Sequence, residues 1–120
     1  MDAFSARLGR SQGRVERAPD DVVFVLGDLE PGGTAALTPG DYVEAAQVAD
    51  LTGTGLVRAT GSLRAPPAGR WRVTLRIDGK DLAGLDAWPG RTRDVSDLAA
   101  HVAGSSGPAE VCVRLTFVGP

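Results

Sequence analysis

Between Arg70 and Ile77 the chain alternates without a break: Trp71, Val73, Leu75 and Ile77 take one face, and Arg70, Arg72, Thr74 and Arg76 the other. A two-residue period is the mark of a strand with one buried and one solvated face. It runs into Asp78-Gly79, a dipeptide suited to the positive φ angles of a type I′ hairpin turn. The turn predicts a partner strand from Lys80 to about Leu85. Val111, Val113, Leu115 and Phe117 repeat the alternation against Cys112, Arg114 and Thr116. Leu56 to Arg64 does so again, with Val57, Ala59 and Leu63 inward and Arg58, Thr60 and Arg64 outward. Gly61 falls on the inward side, where a bulge or a close approach of another side chain is the usual reason.

Other segments break the alternation. Val22 to Leu26 is an uninterrupted apolar run, mostly β-branched or aromatic, which predicts a short strand buried on both faces. Tyr42 to Leu51 carries Ala, Glu and Gln that suit a helix, with Asp41 placed as an N-cap. It is short and lies among β elements, so it is assigned as a strand. Ser96 to Gly104 reads as one or two helical turns, with Ser96 or Asp94 as N-cap and Gly104 as the stop. Arg91 to Val95 is a short strand or extended segment. Turn clusters at Glu30-Pro-Gly-Gly, Thr38-Pro-Gly-Asp, Ala65-Pro-Pro-Ala-Gly and Trp88-Pro-Gly separate these elements.

The expected architecture is therefore all-β: an antiparallel β-sandwich or jelly roll of about seven to eight strands, with one short helix near 95–103. Composition agrees, since 16 Gly and 8 Pro among 120 residues favour short elements joined by turns. That length makes one domain. Residues 1–20 stand apart, with Arg7, Arg10, Arg14 and Arg17 and few large apolar residues. They read as an N-terminal arm, flexible or ordered by a partner, ahead of a domain at 21–120. Within the arm Phe4 and Leu8 lie four residues apart and share a face if it turns helically.

A net charge of −2 argues against nucleic acid as the main partner. No apolar run approaches a membrane span and no secretory leader is apparent, so a soluble product made in the cytoplasm is expected. The lone Cys112 lies within a strand and is read as a small apolar residue rather than a reactive thiol.

Candidate chemistry is sparse. Asp97 and His101 sit four residues apart on the expected helix with Ser96 nearby, but Ser96 is better read as a cap and no nucleophile elbow accompanies it. Asp78, Asp81 and Asp86 cluster around the hairpin, and Asp20, Asp21, Asp28 and Glu30 flank the first strand. Neither group has a recognised calcium spacing, and Asp is expected at turns for its local hydrogen bonds. One His and one Cys do not close a zinc site. No catalytic set, metal site or cofactor is assigned. Arg58, Arg64, Arg72, Arg76 and Arg114 all fall on outward faces, which makes a basic stripe if the strands are neighbours. Trp88, in a Pro-Gly turn, is the candidate for an exposed contact residue.

Tyr42-Val-Glu-Ala, Asp50-Leu-Thr-Gly, Leu56-Val-Arg-Ala, the Arg70–Lys80 strand and turn, Val95-Ser-Asp-Leu-Ala-Ala and the closing Val113-Arg-Leu strand resemble, as an ordered set, small β-sandwich proteins of tailed phages and phage-derived particles. They resemble galactose-binding-type jelly rolls more loosely. The likeness covers about residues 21–118 and implies a structural subunit or surface decoration module, not an enzyme. Its partners would be other protein subunits, copies of itself among them. The contact residues expected are Phe4, Leu8, Arg58, Arg64, Arg72, Arg76, Trp88 and Arg114. The alternative is a carbohydrate-binding module in which Trp88 or Tyr42 stacks on a sugar.

Overall fold

A computed structural model of the chain describes residues 13–19, 21–27, 38–65, 69–102 and 107–119. The described residues form ten strands and no helix. They are β1 (Gly13–Arg17), β2 (Asp21–Leu26), β3 (Tyr42–Asp50), β4 (Leu56–Thr60), β5 (Ser62–Arg64), β6 (Arg70–Ile77), β7 (Lys80–Ala87), β8 (Thr92–Asp94), β9 (Ala99–His101) and β10 (Pro108–Gly119). One four-stranded sheet has the order β1-β2-β4-β9, a second has β3-β10-β6-β7, and β5 pairs with β8 alone. All pairs are antiparallel except β2 with β4, which run parallel. The inner faces of the two larger sheets share one core. The first sheet supplies Val22, Phe24, Val57 and Ala59; the second supplies Val43, Trp71, Val73, Leu75, Val113 and Leu115. Trp71 meets Phe117 edge to face, with ring centroids 5.2 Å apart.

The alternating segments keep their expected faces. Trp71, Val73, Leu75 and Ile77 are buried, as are Val57, Ala59 and Leu63. Tyr42–Asp50 is a strand, β3, because its inward Val43, Ala45 and Ala49 lie opposite Leu115, Val113 and Ala109 of β10. Partners across a sheet outweigh a modest helical preference here. The hairpin turn is also as expected: Asp78 and Gly79 have φ of 51° and 82°.

Several expectations change: the described strands number ten rather than seven to eight, and the β2–β4 pair is parallel in a domain expected to be antiparallel. Residues 95–102 hold no helix. Oδ1 of Asp94 accepts a hydrogen bond from the Ser96 amide at 2.8 Å, and Leu98 N donates to Val95 O at 2.9 Å. This tight turn places Val95 and Leu98 in the core, and Ala99–His101 then pairs with β4. The Asp and Ser that cap helices serve Asx turns equally well, which is why the signal misled. Arg70–Ile77 pairs with Lys80–Ala87, a longer partner than expected. The Leu56–Arg64 strand is two strands bent at Gly61, whose φ is 113° and whose carbonyl accepts from Val95 N at 3.1 Å. β2 has one fully buried face; its other residues, Asp21, Val23 and Val25, are half-buried between Arg14 and Glu16 of β1 and Arg58 and Thr60 of β4. Long polar side chains shade the aliphatic ones between them. Thr74, expected outward, does face that way but is buried between Arg114 and Gly84 in register.

Of the arm expected at residues 1–20, Gly13–Arg17 is β1, paired along its length with β2. It is also fastened sideways to β3 and the turn that follows. Val15 N donates to Oε1 of Gln47 at 2.6 Å. The Arg17 guanidinium donates to Asp50 O at 2.6 Å, Thr54 Oγ1 at 2.7 Å and Thr52 O at 3.1 Å. Thr52 N in turn donates to Oδ1 of Asp50 at 2.9 Å, a bond that holds this carboxyl below the usual carboxylate range. Phe4 and Leu8 lie outside the described residues.

Candidate functional site

The outer face of the β3-β10-β6-β7 sheet collects most of the polar chemistry, and strand register decides how. Arg114 of β10 stands opposite Glu44 of β3. Arg72 and Arg76 of β6 stand opposite Asp86 and Asp81 of β7. Each arginine meets its carboxylate: Arg114 Nη2 with Glu44 Oε1 at 2.9 Å, Arg72 Nη1 with Asp86 Oδ1 at 3.3 Å, and Arg76 Nη1 with Asp81 Oδ1. Opposite charges directly across a sheet stabilise it modestly.

The Asp86 partnership depends on a bulge. A two-residue turn at Asp78-Gly79 sets Asp81 opposite Arg76, and continuing that count places Leu85 opposite Arg72. The register instead shifts by one between Arg76 and Leu75, so that Leu85 faces inward against Val73 and Asp86 faces Arg72. Leu82, at the shift, is left exposed.

The three pairs are not equal. Arg72 and Asp86 are both well exposed, so their pair contributes about 1 kcal/mol or less. Glu44 is only 4% exposed. Its Oε1 accepts from Arg114 Nε at 3.1 Å and from Cys112 Sγ at 3.2 Å as well as from Arg114 Nη2. The Arg114 guanidinium carbon lies 3.7 Å from the centroid of the Tyr42 ring. Burial, and then the Glu44 carboxylate it donates to, push the Cys112 thiol well above its ordinary range. The cluster is a partnered anchor between β3 and β10, with a protonated thiol inside it.

At the end of the same face, β7 gives way to the Trp88-Pro89-Gly90 turn. Arg91 N donates to Trp88 O and Gly90 N to Ala65 O, both at 3.2 Å, which fixes the turn on the domain. Trp88 is 61% exposed, and Val118 beside it is 44% exposed. Val118 is the extra residue where the β10–β6 register shifts between Phe117 and Gly119. A groove of about 340 Å³ lies between them, with Pro89 in its wall and Arg70 and Asp86 at its rim. An indole is thus held open on a tied turn, beside an aliphatic side chain and charged neighbours.

The expected basic stripe is divided. Arg72, Arg76 and Arg114 share one face and are neutralised there. Arg58 is exposed on the outer face of the other large sheet, opposite Val23 and Ala99, and Arg64 is exposed on β5 opposite Thr92. Of the expected contact residues that are described, Trp88 alone lines the groove, which it shares with Asp86, the ion-pair partner of Arg72. The acidic residues that flank the hairpin are used separately. Asp81 and Asp86 hold arginines, and Asp78 Oδ1 accepts from Glu110 N at 2.9 Å. Among the described residues no three metal-binding side chains converge. Asp97 is in a turn and His101 ends β9, so the helical spacing that would have joined them is gone. Asp20, Asp28 and Glu30 lie outside the described residues. Val118 and Arg70 were not singled out from sequence; the signal for Val118 was its place just past the alternating Val111–Phe117 run.

No protein-family model, curated protein or solved structure matches the chain. No helix among the described residues is long and apolar enough to cross a membrane.

Proposed function

We propose that this chain is a non-enzymatic structural protein: a β-sandwich subunit, or surface decoration module, of a phage-type particle. It assembles with copies of itself and other subunits through the Trp88 end of its second sheet. The observation that carries the reading is the Trp88–Val118 groove. Elsewhere on this face the arginines are held by carboxylates of the same chain, so the surface is close to neutral. At its end Trp88 on a fixed turn and Val118 at the β10 register shift are exposed together, and a large exposed aromatic is the kind of residue that most often carries binding energy in protein interfaces. The sandwich reading is supported by two four-stranded sheets with a common core. The phage-type setting is supported by the ordered sequence pattern alone.

Sedimentation of the purified chain over a range of concentrations tests this. A mass of several copies is expected, falling toward one when Trp88 is replaced by Ala. A monomer at every concentration, or an assembly indifferent to Trp88→Ala, would contradict it.

A carbohydrate-binding module is the second reading, and the exposure of Trp88 is what favours it. Tyr42 no longer supports it, because Arg114 covers its ring. Glycan binding lost on Trp88→Ala would select this reading.

A further inference from the structure

We infer that the segment before β1 and the Trp88–Val118 groove are two halves of one contact, with residues 1–12 of one copy seating Phe4 and Leu8 in the groove of a second copy. The inference rests on the reading of this surface as an assembly face.

The root of the segment is at the right end of the domain. Val15 reaches Gln47 and Arg17 reaches Asp50, so β1 and β3 lie side by side with Gly13 toward the Tyr42 end of β3. Tyr42 pairs with Thr116, and Phe117 pairs with Trp71, which pairs with Ala87. Gly13 and Trp88 are therefore at the same end. They are at opposite edges of it, since β1 lies against β3 while Trp88 follows β7, and β3 and β7 are the two outer strands of their sheet. A contact between copies joins the two edges.

Reach and chemistry agree. Twelve residues span up to about 40 Å when extended. Phe4 and Leu8 offer apolar side chains to Trp88, Val118 and Pro89. Arg7 and Arg10 beside them complement Asp86, whose side chain is 70% exposed and bonded to Arg72 at 3.3 Å. Exchange of such a segment between identical copies is either reciprocal, which closes a dimer, or propagated, which builds a ring or filament.

The test uses the full-length chain and three variants: Phe4→Ala with Leu8→Ala, Trp88→Ala, and all three changes together. Sedimentation gives the association constant of each. The first two should each weaken self-association by about tenfold or more, as loss of a central contact does. The triple variant should be no weaker than the worse of the two, because both remove one contact. If the Phe4/Leu8 variant associates like the unaltered chain while Trp88→Ala does not, this inference is wrong and the reading of the Trp88 face stands. Strictly additive losses would also overturn it, since they mean separate surfaces. A monomeric chain in which the Phe4/Leu8 changes alter only the fluorescence of Trp88 would show docking within one copy and overturn the exchange. If neither set of changes affects association, both readings fall.

Discussion

Arg114 places both Nε and Nη2 on the same oxygen of Glu44, at 3.1 and 2.9 Å, across the β10–β3 pairing. The bond crosses a sheet between residues 70 apart in sequence, so it forms only when the last strand has found the third. The carboxylate is buried, so removing Arg114 takes away the guanidinium that donates to it twice. Arg114→Ala is expected to cost about 3 kcal/mol in urea unfolding. The double variant Glu44→Ala with Arg114→Ala should lose less than the sum of the single losses. Additive losses would show that the pair is not coupled.

Cys112 gives a pH signature. Its thiol is held protonated in the fold, while the unfolded chain ionises it near its ordinary value of 9.0. A raised folded pKa means stability complete below that pH and lost above it. The unfolding free energy should therefore fall from pH 9 upward, by at most about 1.4 kcal/mol per pH unit from this group. Cys112→Ala should remove that part of the slope. A thiol-specific reagent at pH 8 should label the chain only after denaturant is added.

Gly61 separates β4 from β5, and the bend leaves no room for a side chain. A Cβ there would lie 2.7 Å from the carbonyl oxygen of Leu26, at a φ of 113°. Gly61→Ala is expected to destabilise by about 2 kcal/mol or more. Thermal unfolding measures it, and an unchanged midpoint would mean that the bend relaxes.

The alternation at Arg70–Ile77 and Val111–Phe117 was legible because burial on one face writes a two-residue period directly into a sequence. Gly61 was legible as a place of close approach, though what approaches most closely is the Leu26 carbonyl rather than a side chain, and the break between strands was not marked. The Asp94-Val-Ser-Asp turn was not, because Asp and Ser serve helix caps and Asx turns alike. The parallel pairing of β2 with β4 leaves no local mark at all. At the site, Trp88 stood out through its Pro-Gly turn, and the outward arginines through alternation. Their neutralisation did not, because it depends on which carboxylates lie across the sheet. Glu44 sat in a segment of mixed propensity, and Asp86 reaches Arg72 only through a one-residue shift at Leu82.

The proposed assembly surface is most directly examined at Trp88 itself. The chain has two Trp, one buried at 2% exposure and one open at 61%. With 5-fluorotryptophan in both positions, fluorine NMR resolves Trp71 and Trp88 as separate signals. On raising the concentration, the Trp88 signal should shift or broaden while that of Trp71 holds its position. A Trp88 signal that stays at the same shift and width from dilute to concentrated chain would contradict assembly through this surface.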